Sequence, residues 1–350
     1  MTQPRPPTFI SGFPARMLAV FPLLALATAY ILFVRCLYGN GLVSKLHAVC
    51  GAPVDGGLFP MRTTYTNIPA LDSKLCAIVT FYHGLMNPTY QPLLILMSTT
   101  LSAIAIIPFA EATREYHPKR LRMPATIGMV FQLCSCGVIM PIYWFAFALT
   151  GGTARRGDRI NQGNAEALLF ALVAGYAIPT FCMVVLEDPV VTAMWQIFPL
   201  YMKVAHWAHC KIRPPSQHTG SGYGTVQAMY MLVYVASAYL HVAHIWPIFN
   251  SSALFQKLIM PPMAPLDPSA TSIAEGAAAF LKWDMAIGIG STILITLWFA
   301  KSLTGLMVLI LWHASATFIV GPGAAIAGVM MWREATINAQ AITNAAEKAR

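Results

Sequence analysis

Charge is what this chain has least of. Only 10% of its 350 residues are Asp, Glu, Lys or Arg, against about a quarter in a soluble globular domain. Hydrophobic residues make up 57%. Too few ionised side chains are present to cover the apolar ones, which excludes a conventional water-soluble body. Acids are scarcer still, 13 against 22 Lys and Arg, for a net charge of +9. That excess does not describe a nucleic-acid surface, because the basic residues stand between apolar runs and form no stripe interleaved with aromatics. They flank apolar segments, where Lys and Arg meet lipid head groups. The lipid bilayer is therefore the expected partner, nucleic acid is not, and no obligatory protein partner is evident.

Other absences narrow the chemistry. There is no GxGxxG and no P-loop, so no phosphate cradle is legible, and no internal repeat or low-complexity tract. The 7 cysteines form no CxxC pair, and Cys134 and Cys136 are too close together for a zinc ribbon. Cys134, Cys136 and Cys182 lie in apolar runs and read as packed thiols. Cys50 and Cys76 share a long polar segment and can pair if it faces an oxidising lumen. Two His-x-x-His pairs occur, His206 with His209 and His241 with His244. The remaining histidines form no further pair, so the clustered set of a membrane di-iron enzyme is missing. No metal and no cofactor is expected.

What is there is a series of apolar runs near the 20 residues that span a hydrocarbon core. The fold class expected is an all-α polytopic transmembrane bundle of about eight spans, seven on another reading of the bundle ends, in one membrane domain over 1–350. The runs are 17–34, 93–110, 126–149, 167–186, 190–207, 226–248, 283–300 and 303–331. The first is bounded by Arg16 and Arg35 and reads as a signal anchor. Residues 37–90 read as a polar loop with a re-entrant or interfacial piece at 75–86, and 333–350 as a polar tail. Eight crossings place both termini on one side. In this scheme Lys and Arg divide almost evenly between alternate loops, which leaves orientation open. Gly288, Gly290, Gly321, Gly323 and Gly328 read as close helix contacts.

In such a chain the acids at the ends of apolar runs are informative, since a charge at a helix centre costs about 2.5 to 3.5 kcal/mol on insertion scales. Most others, including Asp55, Asp72, Asp158 and Asp267, lie in loops. Glu111, the Glu187-Asp188 pair and Asp284 stand out. Each has a structural alternative: Glu111 facing Arg114, Glu187-Asp188 as a polar turn before Pro189, Asp284 pairing with Lys282 or capping its helix. The chemical reading is that two or three of them meet at one end of the bundle as an acid site, where a low-dielectric pocket keeps a carboxyl protonated nearer neutrality. The 226–248 run carries a polar stripe: Gln227, Tyr230, Tyr234, Ser237, His241 and His244 recur at spacings of three and four and share one helix face. Such a face either bonds to other helices or walls a pocket with cation-holding aromatics.

Three segments carry a family resemblance: Phe81-Tyr-His-Gly-Leu-Met-Asn-Pro-Thr-Tyr-Gln-Pro, Pro108-Phe-Ala-Glu and Phe280-Leu-Lys-Trp-Asp. With the multi-span layout, they resemble the fungal membrane-bound terpene cyclases of meroterpenoid biosynthesis, in particular the ascofuranone-type branch. The resemblance implies a metal-independent, isomerase- or lyase-type cyclase of secondary metabolism. It would protonate an alkene or epoxide on a farnesyl-type chain, so its partner is a lipophilic prenylated small molecule. It matches Glu111 and Asp284 to essential acids; alternating crossings put Glu187, which ends the fourth span, on the same face as the reserve candidate. No DDxxD motif of soluble terpene synthases occurs. An apolar substrate dissolves in the bilayer, and a carbocation needs aromatic faces, for which Trp144, Tyr143, Tyr230, Tyr234, Trp283 and Trp312 are candidates. The substrate-binding set expected is Tyr230, Tyr234, His241, His244, Trp144 and Trp283. The endoplasmic reticulum membrane is the expected location. A transporter with midplane acids and a receptor or structural subunit are the competing readings.

Overall fold

The computed structural model describes residues 18–51, 62–114, 121, 123–153 and 159–349. The start of the first run at Met17, both chain termini, Asp55 and Asp158 lie outside the described residues. Within them the fold is helical, with one isolated β-bridge between Asn161 and Ser221. The helices are α1 Val20–Gly39, α2 Leu42–Gly51, α3 Pro69–Met86, α4 Gln91–Ala112, α5 Pro124–Cys134, α6 Cys136–Leu149 and α7 Gln162–Leu186. They continue with α8 Pro189–Trp195, α9 Phe198–Ile212, α10 Tyr223–His244, α11 Trp246–Phe249, α12 Ser252–Leu258, α13 Ile273–Phe299, α14 Leu303–Ile319 and α15 Pro322–Ala349. By length and composition 5 of them, α1, α4, α7, α10 and α13, are able to cross a membrane.

Local chemistry explains the boundaries. Proline opens α3, α4, α5, α8 and α15, where its missing N–H costs nothing. Ser272 and Glu275 form a reciprocal capping box at the start of α13. Ser302 caps α14 by accepting from the Gly305 amide. The polar segment read as a loop is largely helical, and Cys50 of α2 is bonded to Cys76 of α3 with Cα atoms 5.9 Å apart.

The run expected as a single span over 126–149 is instead a helical hairpin. Ser135 adopts φ 78° and ψ 144° and reverses the chain between α5 and α6. Pro124, Ala125 and Thr126 share a cavity wall with Phe109, Ala112 and Thr113 at the end of α4. At the other end of the pair, Phe147 lies under Arg333, whose guanidinium also holds Glu111. Both legs therefore start and finish beside Glu111, with the tip at Ser135 deep in the bundle. Legs of 11 and 14 residues rise about 16 and 21 Å, short of a 30 Å core. Two further runs break as well. The 190–207 run becomes α8 and α9, and the 303–331 run turns at Gly321, whose φ is 89°. A Cβ there would sit 2.8 Å from the His241 ring, so glycine is required both by conformation and by space.

The expected polar tail is part of α15. That helix runs through residue 333 without interruption, and Arg333 and Glu334 are buried. The polar stripe of α10 faces α15, α14 and α4. The Gln227 amide donates to Met331 O at 2.8 Å, the Ser237 hydroxyl to Thr99 O at 3.2 Å, and His241 Nε2 lies 3.0 Å from Phe318 O. Of the two readings of that stripe, interhelical bonding describes these three residues.

Candidate active site

An apolar cavity of about 430 Å³ lies between α1, α2, α3, α4, the hairpin tip and α13. Its wall is aromatic on several sides, with Phe33, Phe81, Tyr82, Phe131 and Phe280. Phe81 meets Tyr82 and Phe280 edge-on at 5.4 and 5.5 Å, and Tyr82 meets Trp195 edge-on at 5.3 Å, geometries that favour ring quadrupoles. Met97, Leu101 and Ile104 supply the aliphatic side from α4. The polar lining is small: Lys74, Thr100, Gln132, Ser135 and Asp284.

Asp284 is the acid of this cavity, and its partners come from the hairpin tip. Oδ1 accepts from the Gly137 amide at 2.5 Å and from the Ser135 hydroxyl at 2.7 Å. The carboxylate thus caps α6 from another helix, where the N-terminal dipole favours negative charge. Gly137 permits this approach, because a Cβ there would meet Asp284 O at 2.7 Å and Oδ1 at 2.9 Å. The Cys136 amide is a third donor to the same carboxyl, and Asp284 lines the cavity. Asp284 does not pair with Lys282, whose ammonium donates to Lys257 O at 2.9 Å.

Glu111 occupies a different place. Both of its oxygens are held: Arg333 reaches Oε1 at 2.5 Å and Oε2 at 3.2 Å, and Arg114 Nε reaches Oε1 at 3.1 Å. Arg114 also bonds to Glu334. The network balances two acids with two guanidiniums, and Glu111 is 1% exposed. Arg333 lies over the Phe299 and Phe147 rings at 4.6 and 5.8 Å, a cation–π packing. Phe299 ends α13, and Asp284 precedes it by about 22 Å of helical rise. The expectation that Glu111 and Asp284 open on one cavity is therefore not met. The physical reason is the hairpin: its legs enter and leave on the same side, which removes one crossing from the alternation that had aligned the two acids. Helix α13 also begins at Ile273, well before Asp284.

The remaining expected residues lie off the cavity. Glu187 is exposed in a left-handed turn with φ 48°, and Asp188 caps α8 through the Val190 and Val191 amides. Trp144 is buried, its indole donating to Thr292 at 3.0 Å, and Trp283 donates to Pro262 O at 3.1 Å. Tyr230 is fully buried beside the Glu111 network, His241 bonds to Phe318, and Tyr234 and His244 are half-buried on α10. The two His-x-x-His pairs do not converge, and among the described residues no three His, Cys, Asp or Glu side chains gather as a metal site.

Sequence reasoning passed over Tyr82, Phe131, Ser135, Arg333 and Glu334. For Tyr82 a signal existed, since 81–92 and 280–284 are two of the segments that carry the family resemblance, and Phe81 packs on Phe280 across the cavity. Burial holds the Tyr82 phenol well above its ordinary pKa, and the Asp284 charge adds to the shift, so this hydroxyl stays protonated.

Comparison with known proteins agrees with that resemblance. Residues 16–338 match the CtvD domain family. Terpene cyclase ctvD of Aspergillus terreus (strain NIH 2624 / FGSC A1156) is 23% identical over 265 residues, covering 69% of this chain and 75% of that protein. Terpene cyclase alnG of Emericella nidulans is 25% identical over 181 residues, covering 45% of this chain and 49% of that protein, so this match spans about half of the relative. No solved structure matches. With the family match running from residue 16 to residue 338, the chain belongs to the CtvD-domain family.

Proposed function

We propose that this protein is a membrane-embedded terpene cyclase of fungal meroterpenoid type, and that Asp284 starts the reaction by donating a proton. The observation that carries this reading is a carboxyl group oriented by the hairpin tip on an apolar cavity walled by aromatic rings. The relatives' name, terpene cyclase, supports the reaction class.

The substrate is a prenylated small molecule that enters from the bilayer and lays its chain in the cavity. Asp284 Oδ2–H protonates an alkene carbon or an epoxide oxygen, leaving a carboxylate held by Gly137 and Ser135. Those two donors stabilise the developing anion, an electrostatic contribution aimed at the transition state. The resulting cation attacks an internal double bond, closing a ring. The faces of Phe81, Phe131 and Phe280 stabilise positive charge without supplying a nucleophile, and the apolar wall keeps water away. Loss of a proton from a neighbouring carbon to the Asp284 carboxylate ends the sequence and restores the acid, so the net reaction is an isomerisation that needs no metal.

Within the same reading Glu111 is structural: its oxygens are occupied by two guanidiniums, and it ties α4 to α15. The test is Asp284→Asn in microsomes fed farnesylated phenols with and without a terminal epoxide, with chelator present. Cyclised product should fall by about 10²- to 10⁴-fold, the usual worth of a positioned acid, while the protein accumulates as the parent does. Cyclisation near the parent rate, or activity that depends on added magnesium, would refute the proposal.

A further inference from the structure

The hydroxyl of Tyr82 is a second protic group on the cavity, and neither the fold nor the proton delivery uses it. Its ring is fixed edge-on between Phe81 and Trp195, so packing aims the phenol. Other buried tyrosines differ. The Tyr176 hydroxyl donates to Ser98 O at 2.6 Å. Those of Tyr143 and Tyr230 are sealed inside the protein. The Tyr82 hydroxyl is neither bonded to a described residue nor sealed, and the residue lines the cavity.

Of the other donors around the cavity, the Thr100 hydroxyl is sealed inside the protein, and the rest are committed or mobile. Ser135 donates to Asp284 at 2.7 Å and the Gln132 amide to Gln196 O at 3.3 Å. Lys74 is exposed and hangs from a flexible stem. An ordered donor on an apolar wall carries a desolvation cost unless something accepts from it. Among the described residues nothing accepts from the Tyr82 hydroxyl.

We propose that Tyr82 selects a prenyl chain bearing an acceptor oxygen at the point where it passes Asp284, an ether-type oxygen such as an epoxide, in preference to the plain hydrocarbon chain. This deepens the cyclase reading and rests on it. The Tyr82 hydroxyl donates a hydrogen bond to the chain oxygen and holds it within reach of Asp284; no covalent bond changes at Tyr82. A site built to hydrogen-bond an oxygen discriminates against the analogue lacking it, because its own donor is then left unpaired.

The test uses the full chain in lipid nanodiscs and a pair of unreactive prenylphenols. One carries a terminal-chain ether oxygen, the other a methylene in its place. The parent should bind the ether about tenfold more tightly, roughly one hydrogen bond's worth. Tyr82→Phe, which keeps the ring packing, should bind the two alike and match the parent's affinity for the methylene compound. Equal affinities in the parent, or a preference that survives in Tyr82→Phe, overturns the proposal. The parent comparison alone decides if Tyr82→Phe does not accumulate. Turnover of the corresponding epoxide is read in parallel. Ether preference without cyclisation would defeat the cyclase reading and leave Tyr82 standing; cyclisation without preference would do the reverse.

Discussion

The helical bundle treats two carboxylates in opposite ways. At one end Glu111 has both oxygens bound by Arg114 and Arg333, with Glu334 completing a closed network between α4 and α15. Part-way along α13, Asp284 accepts from the hairpin tip through Oδ1 and lines a cavity. A carboxylate bridged by two guanidiniums is architecture, since both of its oxygens are engaged in buried ion pairs. A carboxylate anchored on a cavity wall is oriented and still free to act. Both are carboxylic acids that the sequence places at the end of an apolar run; the partners decide.

The comparison can be broken at its closed end first. Arg333→Met removes one partner and leaves buried negative charge uncompensated, which costs about 3 to 5 kcal/mol for a buried pair. Thermal unfolding in detergent should show a large loss of stability, and a melting profile equal to the parent's would mean the network is not structural. A somewhat smaller effect is expected from Cys50→Ser with Cys76→Ser. That bond closes a loop with a sequence separation of 26, worth about 3.5 kcal/mol on the chain-entropy model. It ties together two helices that wall the cavity, so the loss should appear in stability and in substrate affinity, and an unchanged melting temperature would remove the disulfide from the account.

The smallest change in energy, and the sharpest for geometry, concerns orientation. Because α5 and α6 form a hairpin, Arg114 before it and Arg159 after it lie at the same end of the bundle, both beside Glu334. An eight-span scheme had placed these two arginines on opposite sides. The positive-inside rule then predicts a cytosolic Glu111 end, and the Cys50–Cys76 bond predicts an oxidising compartment at the opposite end. A topology reporter inserted after residue 153 should read cytosolic and one inserted after residue 66 lumenal. The opposite result would invert the bundle.

Much of this architecture was legible, for identifiable reasons. Apolar runs of membrane length gave α1, α4, α7, α10 and α13 because hydrocarbon thickness sets a length that composition reveals. Asp284 stood out because an acid in such a run is costly. The hairpin was not legible. Residues 126–149 are apolar throughout, and the reversal depends on one backbone conformation at Ser135, a residue with no strong turn signature. That single miss propagated, since topological parity was the argument that paired Glu111 with Asp284. Arg333 and Glu334 were missed for a related reason: polar residues near a chain end read as solvated, whereas here they are matched charge for charge by Glu111 and Arg114. The α10 stripe shows the limit of periodicity. It identified a shared face, and only neighbouring carbonyls at Thr99, Phe318 and Met331 decide that the face bonds helices together.

The central claim, that the two acids divide structure from chemistry, is tested most directly by activity per folded molecule. Asp284→Asn and Glu111→Gln are purified in nanodiscs, the folded fraction of each is measured by ligand-independent thermal unfolding, and cyclisation is divided by that fraction. The account predicts that Asp284→Asn is fully folded and inactive, whereas Glu111→Gln is poorly folded with near-parental activity in the molecules that do fold. A stably folded Glu111→Gln without activity, or a folded Asp284→Asn that still cyclises, would contradict it.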